Sequence, residues 1–234
     1  MDTERKNRRI LFLGASIIKY LFHDFSDERF TIIGISGWNL SGFSHGIMQS
    51  KVIEFSKQIK PNEEVFICLQ ISGNLIAPGR TFFEQRTDQF GRPIPNSKRR
   101  PHYHRSCPPS SPAEAESKYL EFLTFLRKNL PGCKIFIIPP FPRRHFAKVH
   151  QCFNCLFYPP SHFRRYTQHF SLVFDSKNCK TLFWSDICNP EKLDICNLPS
   201  HFFIQDGIHI NSTGCRTLRD ILVKYFQQNL LLEE

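Results

Sequence analysis

Short apolar runs rich in β-branched and aromatic residues alternate along this chain with stretches whose apolar residues recur at helical spacing, and that alternation limits the folds open to it. Ile10 to Leu13, Phe30 to Ile35, Val65 to Ile71, Lys134 to Ile138 and Thr181 to Trp184 are bounded by Gly, Pro or polar clusters and read as buried strands. Between them, Met48, Val52, Phe55 and Ile59 share one helical face, as do Ala115, Tyr119, Phe122, Leu123, Leu126 and Leu130. Ser111-Pro112-Ala113-Glu114 has the form of a capping box with Pro at the first helical position, and Pro131-Gly132 stops that helix. A last helix carries Leu218, Ile221, Leu222, Tyr225 and Phe226, with Asn211 or Ser212 as its cap. Strands alternating with helices predict an α/β fold, a parallel sheet covered by helices on both faces. At 234 residues and 41% hydrophobic content, a single domain spanning 1–234 is expected.

Four short motifs sit beside these elements. Gly14-Ala15-Ser16 follows the first strand, Gly37 the second and Ser72-Gly73-Asn74 the third, while Asp206-Gly207-Ile208-His209 precedes the last helix. In an open parallel sheet, ligands bind at the carboxyl ends of the strands, so these motifs are expected to converge on one edge. Their chemistry fits together. A Ser hydroxyl is a poor nucleophile until a base takes its proton, and His titrates near neutrality. Ser16 and His209 suit those roles, and Asp206 can hold the imidazole tautomer. The backbone N–H groups of Ser16 and Gly37 and the Asn74 amide could steady the oxyanion of a tetrahedral intermediate. No cofactor is called for.

On these blocks the chain resembles the SGNH (GDSL-like) hydrolases, named for their Ser, Gly, Asn and His. Gly14-Ala15-Ser16-Ile17 is similar to the first block, Gly37 to the second, with Gly34 and Gly42 as alternatives, Ser72-Gly73-Asn74 to the third and Asp206-Gly207-Ile208-His209 to the fifth. The resemblance implies a flavodoxin-like three-layer α/β/α sandwich with a five-stranded parallel sheet, and cleavage of a small carboxylic ester. Ala15 stands where the family usually has Asp, Ser72 where the third block usually has Gly, and Leu75 where an Asp often follows the Asn. Relatives of this fold include the non-catalytic Oskar-type RNA-binding domain, and SGNH-type domains also occur in retrotransposon-encoded proteins.

Two segments interrupt the alternation, at about 79–112 and 139–166, and both are basic. The first, with Lys98, Arg99, Arg100 and the pair Pro108-Pro109, reads as a long loop or lid. The second carries Arg143, Arg144, Arg164 and Arg165. A net charge of +10 and these seven cations suit RNA or another polyanion, whose counterions they would release. Tyr103, Phe146, Phe153, Phe157, Tyr158, Phe163 and Tyr166 could stack bases there, or else close over the core. Both insertions are expected to leave the carboxyl edge beside Ser16, where positive charge would oppose protonation of His209.

His145, His150, Cys152 and Cys155 form a candidate zinc set, which His102, His104 and Cys107 could supplement. Ordinary buried thiols and surface histidines account for the same residues. Cys179, Cys188 and Cys196 are expected as small core residues. Nine cysteines in a chain this large favour a reducing compartment, hence an intracellular protein, cytoplasmic or nuclear. The sequons at Asn39 and Asn211 agree, since a glycan would obstruct the adjoining motifs. Ile10 to Phe22 behind Arg8 and Arg9 imitates a signal peptide, but Lys19 interrupts it and no small-residue cleavage site follows. No apolar run approaches the ~20 residues needed to cross a bilayer.

Overall fold

The computed structural model describes residues 7–76, 80–84, 89–90, 92, 100–104, 109–141, 160–176, 178–189, 191–195, 198–204 and 209–231. Asn7–Ala15 (β1), Phe30–Ile35 (β2), Glu63–Gln70 (β3), Lys134–Ile138 (β6) and Cys179–Thr181 (β7) make one parallel sheet in the order β2-β1-β3-β6-β7. Crossovers between parallel strands need helices. These are Ser16–Leu21 (α1), Gly42–Ser56 (α2), Gly73–Ile76 (α3), Pro112–Asn129 (α4), Pro160–Phe174 (α5), Trp184–Ile187 (α6) and Ser212–Phe226 (α7).

The central strands are apolar on both faces because both faces are covered. Leu11, Leu13, Ile67, Leu69, Ile135 and Ile137 point into one core with Met48, Val52 and Phe55 of α2, Tyr119, Phe122 and Leu126 of α4, and Phe170 of α5. The intervening Ile10, Phe12, Phe66 and Cys68 enter a second core with Ile18 and Leu21 of α1 and Leu218, Leu222 and Phe226 of α7. Strand alternation thus sends successive residues to opposite layers. The result is the expected three-layer arrangement.

The capping box forms as expected: Ser111 N–H donates to Glu114 Oε2 at 2.6 Å and Glu114 N–H to Ser111 Oγ at 3.2 Å. Asn211 rather than Ser212 caps α7, its Oδ1 accepting from Gly214 N–H at 2.9 Å.

Three expectations are corrected. The fifth strand lies earlier than Thr181 to Trp184, because Trp184 opens α6 and its indole donates to Pro140 O at 3.3 Å. Ile59 lies beyond α2, which ends at Ser56, although it still packs on the core. The segment at 79–112 is not simply a loop: Arg80–Glu84 (β4) and Arg100–His104 (β5) pair as an antiparallel hairpin, with Arg100 opposite Glu84. In the second insertion, residues from Pro160 onward belong to α5.

Leu126 is fully buried between α4 and the sheet. Leu126→Ala is expected to cost about 3 kcal/mol, by lost burial plus the cavity left behind. It should be read as a lower urea midpoint at unchanged slope.

Candidate active site

Ser16 is the first residue of α1, directly at the carboxyl end of β1, and is half-buried. The turn that presents it needs Gly14, since a Cβ there would lie 2.7 Å from Gln70 Oε1 and 2.5 Å from Ile18 Cγ1. Gln70, at the end of β3, is 1% exposed and its Oε1 has no hydrogen-bond partner. The close approach of β1 and β3 at this point brings the Ser16 turn against the strand that leads to Asn74.

Gly37 follows β2 in a left-handed turn, φ +74, with no atom within 4 Å of the position a Cβ would take. Gly34 is instead inside β2, paired with Gly14, and Gly42 opens α2. Trp38, next along, is fully buried and its carbonyl is the meeting point of two motifs. Ser72 Oγ donates to it at 2.5 Å and Asn74 Nδ2 at 3.3 Å. The Gly37 turn and the Ser72-Gly73-Asn74 block are thereby held as one unit.

Two further side chains fix that unit. Tyr119 of α4, fully buried, accepts from Ser72 N–H at 2.6 Å and donates to Gln70 O at 3.1 Å, which satisfies the backbone where β3 leaves the sheet. Burial pushes its phenol well above the ordinary value near 10, which preserves the proton it donates. Trp38 Nε1–H donates to His45 Nδ1 at 3.3 Å, which requires that nitrogen to be unprotonated. Burial holds the His45 pKa below its usual value, consistent with that role.

His209 arrives from the other layer. Phe203 and Ile210 form an antiparallel bridge, Ile204 N–H donates to His209 O at 2.9 Å, and Asn211 N–H donates to Phe202 O at 2.8 Å. This clamp sets the imidazole edge-on to Tyr20, ring centroids 5.9 Å apart at 86°. Tyr20 lies four residues after Ser16, and residues four apart share a helix face. The imidazole is half-buried. Asp206 lies outside the described residues.

Of the basic candidates, Lys98, Arg99, Arg143 and Arg144 lie outside the described residues. Arg164 and Arg165 are exposed on the first turns of α5. Of the two roles open to Phe163 and Tyr166, stacking bases or closing over the core, the structure shows the second: they are 5% and 0% exposed and belong to the core, so neither is available to a base. The zinc candidates His145, His150, Cys152 and Cys155, with Cys107, also lie outside the described residues. Among the described residues no three His, Cys, Asp or Glu side chains gather, and no helix is long and apolar enough to cross a membrane. Cys179 is buried as expected, Cys188 is only half-buried, and Cys196 lies outside the described residues.

No protein-family model matches the sequence, and no curated protein matches it. Solved structures do. A protein from Bacteroides fragilis assigned as an acylhydrolase superposes with TM-score 0.56 at 12% identity, over 97% of this chain and 89% of that one. A protein from Parabacteroides merdae assigned as a GDSL-like lipase gives 0.51 at 14% identity, over 94% and 96%. The fold is that of the SGNH (GDSL-like) hydrolases. The periplasmic domain of a lipopolysaccharide acetyltransferase from Salmonella ser. Paratyphi A is also similar, with TM-score 0.51 at 11% identity, over 97% and 85%. In this SGNH-type fold, Ser72 in place of the usual Gly supplies the hydroxyl that reaches the Trp38 carbonyl.

Sequence reasoning did not single out Trp38, and it read Tyr119 only as a core residue. A large aromatic directly after the Gly37 turn was the available signal for the first. The phenol of Tyr119 gave none, because its partners are backbone groups 47 and 49 residues away.

Tyr119→Phe leaves Ser72 N–H buried without an acceptor and is expected to cost about 1–3 kcal/mol. The wild type should also lose stability as pH rises past about 10, since the unfolded phenol ionises there while the folded one keeps its proton. Denaturation midpoints against pH check both, and the alkaline loss should be smaller in the Phe variant.

Proposed function

We propose that the chain is a serine esterase of the SGNH type, hydrolysing a carboxylic ester through an acyl-enzyme. Ser16 Oγ attacks the carbonyl carbon while its proton passes to His209. Asp206 holds the imidazole in the tautomer that can accept it. The negative oxygen of the tetrahedral intermediate is met by the N–H groups of Ser16 and Gly37 and by the Asn74 amide. Collapse of the intermediate expels the alcohol, which takes the proton from His209. Water then attacks the acyl-enzyme, His209 accepting its proton and returning it to Ser16 Oγ as the acid leaves.

The observation that carries this reading is the pairing of His209 with Tyr20, one helical turn after Ser16. That contact brings a residue from near the end of the chain against the helix that Ser16 opens, which supports the pairing of base and nucleophile. The tie of Asn74 to the Trp38 carbonyl supports the oxyanion assignment, because donors must be held in place before charge develops.

A second reading, binding of RNA or another polyanion, is supported by the exposed Arg164 and Arg165. It loses support from the burial of Phe163 and Tyr166. The esterase reading alone uses Ser16 and His209.

Purified protein is expected to hydrolyse p-nitrophenyl acetate and to be labelled at Ser16 by a fluorophosphonate. Ser16→Ala should abolish labelling and turnover, and His209→Gln should lower kcat by about 10³-fold or more, as for removal of a triad base. Equal rates in wild type and Ser16→Ala would overturn the assignment.

A further inference from the structure

Trp38 is the bulkiest fully buried side chain among the described residues, and its indole N–H donates to Nδ1 of His45 at 3.3 Å. The same residue carries the backbone carbonyl that accepts from Ser72 Oγ and Asn74 Nδ2. What fixes the ring therefore also helps to fix the carbonyl. Phe122 of α4 meets the indole edge-on, ring centroids 5.5 Å apart at 63°, and meets the His45 imidazole in the same way, at 5.2 Å and 66°. The three rings form one cluster, and His45 is its half-buried, titratable member.

An indole N–H only donates, so its partner must offer a lone pair. Neutral imidazole offers one at Nδ1 while carrying its proton on Nε2, whereas imidazolium carries N–H groups on both nitrogens and accepts nothing. Uptake of one proton by His45 thus sets two donors against each other. It also leaves the Trp38 N–H buried without an acceptor. The surroundings of His45 favour the neutral ring. Residues 36–49, which make the Gly37 turn and the first turns of α2, contain no Asp, Glu, Lys, Arg, Cys or Tyr, and β2 contains none either. Glu121 of α4 is the charge that acts on the ring, favouring imidazolium, but burial outweighs it and holds the His45 pKa below the ordinary histidine value.

We propose that His45 is a positioning residue for the oxyanion donors: its neutral ring holds the Trp38 indole and, through the Trp38 carbonyl, the Asn74 amide and the Gly37 turn, until a proton on Nδ1 releases them. The inference rests on the esterase reading for what Gly37 and Asn74 do, whereas the hold itself follows from the hydrogen bonds. Oxyanion donors act only while preorganised, so loosening them lowers kcat and leaves ground-state binding nearly unchanged. An acid step separate from protonation of His209 follows. Where both histidines are charged, activity falls more steeply with acid than one protonation allows.

The test reads the hold and the catalysis separately. The chain has two tryptophans, so in protein carrying isotopically labelled tryptophan the indole N–H resonance of Trp38 is the one kept in Trp184→Phe. As pH is lowered from neutral, that resonance is expected to shift with a midpoint below about 6.5, the ordinary histidine value. It should stay fixed in His45→Asn, whose amide oxygen accepts from the indole but does not titrate. In parallel, kcat and KM for p-nitrophenyl acetate are measured against pH, per site labelled by fluorophosphonate, so that loss of folded protein does not count as loss of rate. His45→Leu should lower kcat about tenfold at neutral pH with little change in KM, and His45→Asn should recover most of that loss. The steep acid limb should belong to the wild type alone. The resonance and the acid limb need only the wild type and His45→Asn, so the inference stays testable if His45→Leu fails to fold. A Trp38 resonance that ignores pH, or that titrates equally in His45→Asn, would overturn the inference even with ester hydrolysis intact, as would wild-type kcat in His45→Leu. Turnover that survives Ser16→Ala would overturn the esterase reading and with it the catalytic consequence, while a titrating Trp38 resonance would still support the hold of His45 on the indole.

Discussion

The carbonyl of Trp38 is the point on which the geometry of this sheet edge depends. It receives the hydroxyl of Ser72 and the amide of Asn74, so the turn after β2 and the turn after β3 cannot move independently. These strands are not neighbours, since β1 lies between them, and no ladder bond couples their ends. A buried carbonyl with both donors removed would carry a desolvation cost of about 1–3 kcal/mol, which gives the arrangement its stiffness. Tyr119 extends the lock downward by bonding the backbone on both sides of Ile71. Leu40, with φ 63, is held in a left-handed conformation that L residues rarely adopt, and its burial at 6% exposure helps offset that cost.

The site also divides between the two cores. Trp38, Leu75 and Tyr119 belong to the layer of α2, α4 and α5, and Phe203, Ile210 and Leu218 to the layer of α1 and α7. The proposed oxyanion donors Gly37 and Asn74 are therefore steadied from one side of the sheet and the proposed base from the other. Ser16 lies at the carboxyl end of β1, the strand between β2 and β3. Because each half is rooted in a separate packed layer, a core change in one layer acts first on the group that layer carries.

Much of the positive charge has structural work elsewhere. At the amino-terminal edge, Arg8 and Lys134 both reach Glu64, at 3.3 and 3.0 Å, and Arg9 lies 3.6 Å from Glu63 with its guanidinium over Phe55. On the α7 side, Arg219 bonds Asp24 at 2.6 Å and covers Phe25. Some basic residues here close over aromatic surface, so net charge alone is a weak guide to a partner.

The sequence by itself determined the layering and the order of the motifs. Short continuous apolar runs and period-3.6 apolar patterns are local, and they suffice to mark β1, β2, β3 and β6, the capped α4, and the positions of Ser16, Gly37, Asn74 and His209 relative to them. It could not mark the end of β7, because a run of three strand residues before Leu182, Phe183 and Trp184 carries no period of its own. It could not place Tyr119 at Ser72 or His209 at Tyr20, because each of those contacts joins residues far apart in the chain. Nor could it tell that Phe163 and Tyr166 turn inward, since an aromatic beside two arginines has the same local pattern whether it faces solvent or the core. Such contacts are decided by how the two helical layers pack on the sheet, and only the tertiary structure contains that information.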